Sequence, residues 1–268
     1  MRAYRAGMSL SVTWLGHSTV VVDIDGVRLV VDPLVQRHAG ILRRRGTQPM
    51  TSNWAGADAV LISHLHHDHA EVGSLRFFRE LPMYMAPANA KWARGEGFDG
   101  RGLEEGEWAA LGPEGAVEVR LVKAVHNARP MPHRPNAANG HLIRGPSGVT
   151  WIAGDTELFP EMADLPKLAG ADIDIAIVPI GGWGPRLSAG HLGPEEAAVA
   201  CAMSGAKWAV PVHWQTLHLP AGRAWPRGWM DAAGPLFEFA LARTVPSCHV
   251  AMLQPGESLT LPGDHGER

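Results

Sequence analysis

Short apolar runs that stop at a polar residue recur along this chain. In the first half they are Thr19 to Ile24, Val27 to Val31 before Asp32, Ala59 to Ser63 before His64, and Val117 to Val125 before His126. In the second half Val149 to Gly154 leads into Asp155, Ile173 to Pro179 into a glycine-rich turn, and Trp208 to Val212 into His213. Short runs rich in Val and Ile and bounded by Gly, Pro or Asp predict buried strands rather than helices. Polar side chains able to do chemistry are thereby delivered at strand ends. Longer stretches at His69 to Glu80, Pro87 to Glu96, Pro194 to Ser204 and Ala233 to Thr244 read as helices. The third has the clearest start, because proline suits a first turn and Glu195 and Glu196 complement the positive end of the helix dipole.

Strands interleaved with helices predict an α/β protein. Two segments, Gly26 to Asp32 and Gly148 to Asp155, look alike and hint at a strand unit used once in each half. No low-complexity linker divides the chain, so a single domain over residues 1–268 is expected. Two stretches, Asn127 to Asn139 and Leu217 to Trp229, read as long loops flanking the residues that precede them.

Composition narrows the function classes. A net charge of −3, with only 19% charged residues, provides no basic excess for a phosphate backbone, so nucleic acid is not an expected partner. Two cysteines, Cys201 and Cys248, are too few for a disulfide framework or a thiolate metal cage and read as inert core thiols in a reducing compartment. With no run long and apolar enough for a signal peptide or a membrane span, the expectation is a cytoplasmic protein. The loop at Leu217 to Pro220 with Trp225 and Trp229 reads first as packed, with contact to acyl chains or a membrane surface as the second reading. Oligomeric state is not legible.

The fourteen histidines are unusual, and they cluster. In Ser63-His64-Leu65-His66-His67-Asp68-His69, strand alternation lets His64 and His66 converge on one ion while Asp68 and His69, a turn further on, reach a second. Histidine nitrogen and carboxylate oxygen suit zinc foremost, with manganese or iron as alternatives. The bland alternative is a solvated helix cap. It loses ground because His126, Asp155 in Ala153-Gly154-Asp155-Thr156, and His213 in Val210-Pro211-Val212-His213-Trp214 each stand at a further strand end.

This series resembles the metallo-β-lactamase superfamily, whose signature is H-x-H-x-D-H followed by His, Asp and His at later strand ends. The resemblance covers nearly the whole chain and implies a four-layer αββα sandwich of two mixed sheets flanked by helices. It implies two divalent metal ions, one held by His64, His66 and His126, the other by Asp68, His69 and His213, with Asp155 bridging. Asp32 matches a conserved aspartate that orders the ligand loop rather than binding metal. By the same resemblance, two ions sharing a bridging water supply hydroxide near neutral pH, and Asp68 orients that water.

Finer motifs, namely Trp14-Leu15-Gly16-His17-Ser18-Thr19, Val178-Pro179-Ile180-Gly181, His191 before Pro194-Glu195-Glu196-Ala197, and His213-Trp214, resemble the branch holding an N-acyl phosphatidylethanolamine-hydrolysing phospholipase D and ascorbate-6-phosphate lactonase. That implies hydrolysis of a phosphodiester or related ester of a small-molecule or lipid-like substrate, with a lactonase acting on a sugar-derived or other small lactone as the alternative. Within the branch motif His191 is read as a catalytic residue serving the substrate, and His17 either as such or as a structural hydrogen-bonding group. His67 is expected to point away from the ions, and His141 either to touch substrate or to be structural. His38, His133, His218, His249 and His265 read as loop or surface residues. Asn127, Glu157 and Gln215 depart from the branch pattern and put the substrate, not the metals, in doubt. An inactive or redox iron scaffold is the reading from another class, disfavoured by the intact ligand set.

Overall fold

The computed structural model describes residues 9–112, 115–126, 133–135 and 137–262. Its first half contains β1 (Ser9–Gly16), β2 (Thr19–Ile24), β3 (Val27–Val31), β4 (His38–Ala39), β5 (Leu42–Arg44), β6 (Ala59–Leu61), α1 (Val72–Leu75), β7 (Pro82–Met85), α2 (Pro87–Gly95) and β8 (Asp99–Gly102). Then follow β9 (Trp108–Leu111), β10 (Val117–Lys123), β11 (Asn139–Gly145), β12 (Gly148–Ile152), α3 (Leu165–Ala169), β13 (Ile175–Pro179), α4 (Pro194–Ser204), β14 (Trp208–Val212), β15 (Leu217–His218), α5 (Trp229–Thr244), β16 (His249–Val250) and β17 (Ser258–Pro262).

Two seven-stranded mixed sheets result, in the orders β17-β1-β2-β3-β6-β7-β8 and β16-β14-β13-β12-β11-β10-β9, with a small third sheet β15-β5-β4. Alternation explains why the strands are apolar throughout. In β2 and β3, Val20, Val22, Ile24, Val27, Leu29 and Val31 enter a core shared with the second sheet, while Val21 and Val30 join a cluster with Leu75 near α1 and with Ala90 and Ala93 of α2. A strand covered on both faces has no solvent side to encode. On the far side of the second sheet, Ala197, Ala198 and Cys201 of α4 and Phe237 and Leu241 of α5 close the same core. The layers run helix, sheet, sheet, helix, as the resemblance implied.

The two halves repeat one topology. β1-β2-β3 is an antiparallel meander followed by parallel β6 and β7; β10-β11-β12 is another, followed by parallel β13 and β14. The look-alike segments are β3 and β12, and their aspartates, Asp32 and Asp155, occupy corresponding strand ends. His17 after β1 and His126 after β10 correspond in the same way. Every site residue therefore follows the C-terminal end of a strand, the edge at which open α/β sheets bind ligands.

Two helix bounds differ from expectation. The stretch His69 to Glu80 is helical only over Val72–Leu75, followed by a 3-10 turn at Arg76–Phe78. Residues 69–70 instead close a turn on the His66 carbonyl, and Glu71 caps the helix by accepting from Ser74 N at 2.6 Å. α5 begins at Trp229 rather than Ala233, after Gly228 in the left-handed region. Of the loop Asn127 to Asn139, residues 127–132 and 136 lie outside the described residues, as does His265.

Candidate metal centre

Asp32 organises the centre. It is buried, and φ is +43° there. Its carboxylate accepts from Ser63 N at 2.7 Å, Ser63 Oγ at 2.5 Å and His69 Nδ1 at 2.8 Å. With the Ser63 hydroxyl proton directed at Asp32, the oxygen accepts from His64 Nδ1 at 3.0 Å. One carboxylate thus orients both ends of the ligand loop. Two other buried ligand imidazoles have similar backing: His126 Nδ1 donates to Gly190 O at 2.7 Å, and His213 Nδ1 to Gly181 O at 2.9 Å.

Backing of the outer nitrogens fixes the tautomers, so the inner nitrogens carry lone pairs. They converge. His64 Nε2 and His126 Nε2 lie 3.0 and 3.1 Å from His66 Nδ1, and His69 Nε2 lies 3.1 Å from His213 Nε2. Burial drives the pKa of His64 well below its ordinary value and that of His126 to about 4, which keeps both neutral. Asp155 lies between the groups, with Oδ2 3.2 Å from His69 Nε2 and 3.9 Å from His64 Nε2, and Oδ1 3.3 Å from His213 Nε2. Its Oδ1 is buried and accepts no hydrogen bond. Burial alone would raise the Asp155 pKa, but His213, His69 and the bond from His191 hold it well below the carboxylate range. Asp68 is likewise a carboxylate, because the hydrogen bond from His17 and the neighbouring imidazoles outweigh burial. Facing lone pairs beside buried carboxylates fit a cation.

The donors form overlapping sets: His64, His66 and His126; His17, Asp68, His69 and His213; His64, His69 and Asp155; and His126, Asp155 and His191. All seven residues expected to bind metal are therefore brought together. His17 and His191 join them. His17 is fully buried, with Nε2 3.0 Å from Asp68 Oδ2, while its backbone N–H donates to Thr216 Oγ1 and its carbonyl accepts from His213 N. His191 stands among the donors, with Nε2 3.2 Å from Asp155 Oδ2. The Asp155 bond raises its pKa against the effect of burial.

Backbone strain gathers here. Of the five non-glycine residues with positive φ among the described residues, His17, Asp32, His213 and Gln215 belong to this region. Such conformations persist only where the surroundings over-determine them. Gly154 (φ +64°) has a steric reason as well, since a Cβ would lie 3.0 Å from Asn139 O and Ser63 Cβ.

His67 is exposed and faces His133, as expected. His141 is fully buried beside Asn139, the structural of its two readings. One expectation is corrected: His218 is buried because β15 pairs with β5 over Leu34 and Leu42. Two supports escaped the sequence reading. Arg134 donates to Leu65 O and Ala70 O, clamping the ligand turn at both ends, and nothing in its polar loop marks it. Glu157, visible only as a departure from the branch pattern, accepts from Gly190 N at 2.7 Å and so steadies the carbonyl that orients His126.

The chain belongs to the β-lactamase superfamily domain family, whose model matches residues 27–214. A protein named UPF0173 metal-dependent hydrolase from Nitratidesulfovibrio vulgaris (strain DP4) is 28% identical over 270 residues, covering 95% of this chain and 96% of its own. N-acyl-phosphatidylethanolamine-hydrolyzing phospholipase D 1 of Caenorhabditis elegans is 25% identical over 235 residues, covering 80% of this chain and 66% of its own. Among solved structures, Igni18, a metallo hydrolase from the archaeon Ignicoccus hospitalis, shares the fold with a TM-score of 0.73 at 23% identity, over 94% of this chain and 98% of that one. Family and donor set together define the class: a metal-dependent hydrolase of the metallo-β-lactamase superfamily.

Proposed function

We propose that this chain hydrolyses a phosphodiester or a related ester at a dinuclear centre. Asp155 carries the reading: it is a buried carboxylate whose Oδ2 lies between His64 Nε2 of one set and His69 Nε2 of the other, which supports its being shared by two ions. His64, His66 and His126 would hold one ion, and Asp68, His69 and His213 the other. Divalent ions bound there supply Lewis acidity and a water of lowered pKa.

The remaining roles fall to side chains. Asp68, kept ionised and oriented by His17, accepts a hydrogen bond from the attacking water and aims it. His191 Nδ1 donates to the Ser188 carbonyl at 3.1 Å, which leaves Nε2 facing the centre beside Asp155. From there a protonated His191 would donate from Nε2 to the leaving-group oxygen, a step that contributes typically ~10²–10⁴-fold. The resemblance to a phospholipase D favours a diester over the lactone alternative.

A substrate panel tests this. Metal-loaded protein is offered an aryl phosphodiester, an aryl phosphomonoester, a β-lactam and a small lactone. The diester is expected to turn over fastest. Preference for the lactone establishes the alternative, and preference for the monoester or β-lactam overturns both.

A further inference from the structure

The third sheet stands apart in charge from the rest of this acidic chain. Residues 33–57 contain Arg37, Arg43, Arg44 and Arg45 and no aspartate or glutamate; residues 214–230 contain Arg223 and Arg227 and again no acid. These segments meet in space. β5 pairs with β4 on one side and with β15 on the other, in the register Leu217 with Arg44 and His218 with Arg43. The loop that leaves β15 returns at the start of α5, where the first acid, Asp231, bonds Arg45 Nη1 at 2.5 Å. Both ends of the loop over 219–228 are thus tied to the β4–β5 hairpin.

Within this lobe the cations divide into two kinds. Arg44 is buried and spent on the Leu15, Leu34 and Gln36 carbonyls, and Arg45 is paired with Asp231. Arg37, Arg43, Arg223 and Arg227 are exposed, and none has a carboxylate partner among the described residues. Arg37 and Arg43, with His38, Ile41 and Pro220, line a concavity of about 500 Å³ containing no acidic side chain.

Large apolar side chains stand at the tips of the same lobe. Ile41, at the hairpin turn, is 74% exposed; Trp225, in the returning loop, is 77% exposed; Leu219 beside Pro220 is 40% exposed. The backbone behind Trp225 is held, because Trp229 Nε1 donates to Gly222 O at 2.9 Å across the loop. An isolated exposed apolar residue needs no explanation. Apolar tips ringed by unpaired arginines are different, because they match the two halves of a lipid interface: acyl chains for Ile41, Leu219 and Trp225, anionic headgroups for the guanidinium groups.

We propose that the β4–β5 hairpin and the 219–228 loop form a docking surface for an anionic lipid bilayer. Charge complementarity selects this occupant over a neutral membrane, and the apolar tips select it over a soluble polyanion, which would use the arginines and leave Trp225 and Ile41 idle. No helix among the described residues is long and apolar enough to cross a membrane, so attachment would be interfacial. The docking loop follows the His213 ligand by a few residues, which would bring the metal centre to the bilayer surface. Docking does not depend on which ester the centre cleaves.

The test is co-sedimentation of the metal-loaded full chain with vesicles of phosphatidylcholine alone or of equal parts phosphatidylcholine and phosphatidylglycerol. Binding to the anionic vesicles only, weakened by high salt, is expected. Each arginine near such a surface contributes about five-fold, so Arg37→Ala with Arg43→Ala is expected to weaken partitioning by roughly twenty-five-fold. Trp225→Ser with Ile41→Ser is expected to abolish sedimentation, while Phe77→Ser, an exposed apolar residue outside the lobe, leaves it unchanged. Parental hydrolysis of a soluble aryl ester by all three variants shows that they are folded. Absence of binding, equal binding to neutral vesicles, or capture by heparin and vesicles alike with Trp225 and Ile41 dispensable would each overturn the proposal.

Discussion

Replacing Asp32 with asparagine separates support from ligation. Asp32 touches no expected metal-binding nitrogen, yet three donors converge on it from Ser63 and His69. Asparagine is close in shape and tolerates a φ of +43°, so the backbone is kept. What changes is the acceptor: one carboxylate oxygen becomes an amide NH2, a donor that faces a donor. A hydrogen bond to a charged group contributes about 1.5–3 kcal/mol net. Loss of that bond at His69 Nδ1 therefore corresponds to roughly ten- to hundred-fold weaker metal binding, the range seen when such supports of metal ligands are removed. The ion held by Asp68, His69 and His213 bears that loss. The ion held by His64, His66 and His126 feels it only through the Ser63 hydroxyl and weakens less. Competition against a chromophoric chelator reads both affinities. Two affinities equal to the parent's would refute the assignment of Asp32 as the organiser of the ligand loop.

Other expectations follow from buried histidines. His191→Ala is expected to slow hydrolysis at least ten-fold on a substrate with an alkoxide leaving group and much less on a nitrophenolate, by the range typical of acid catalysis; an equal loss on both, with a metal ion missing from the purified variant, would make His191 a ligand. His141 has its pKa lowered to about 4 by burial, against 6.5 in the unfolded chain. The unfolded chain therefore takes up a proton that the native state refuses, so stability is complete above pH 6.5 and declines as pH falls toward 4. By about pH 5 the difference reaches about 2 kcal/mol. Urea unfolding at neutral pH and at pH 5 is expected to show that decline in the parent and a smaller one in His141→Gln; parallel declines would remove His141 as their source.

The convergence of the candidate metal-binding residues was legible because metal chemistry restricts residue types and strand ends restrict positions. His64, His66, Asp68 and His69 sit within one short segment, and His126, Asp155 and His213 each close a buried strand. Strand bounds for Thr19–Ile24, Val27–Val31 and Trp208–Val212 were visible for the same reason, since apolar runs covered on both faces end where the chain leaves the sheet. Contacts between distant segments were not. Arg134 is an ordinary polar residue until its guanidinium reaches two carbonyls of the ligand turn, and His218 looks like a surface histidine until β15 finds its neighbour. The 69–80 helix was overestimated because helical periodicity cannot reveal that its first turn is committed to the metal centre.

The central claim is that seven side chains hold two ions and that hydrolysis depends on both. Metal content by mass spectrometry, measured alongside phosphodiester hydrolysis in the parent and in Asp155→Ala, tests it most directly. The account predicts close to two ions per chain in the parent, activity lost with chelator and regained with zinc or manganese, and an Asp155→Ala protein that loses metal and activity together. Full activity in Asp155→Ala, or in a parent carrying fewer than one ion per chain, would contradict it.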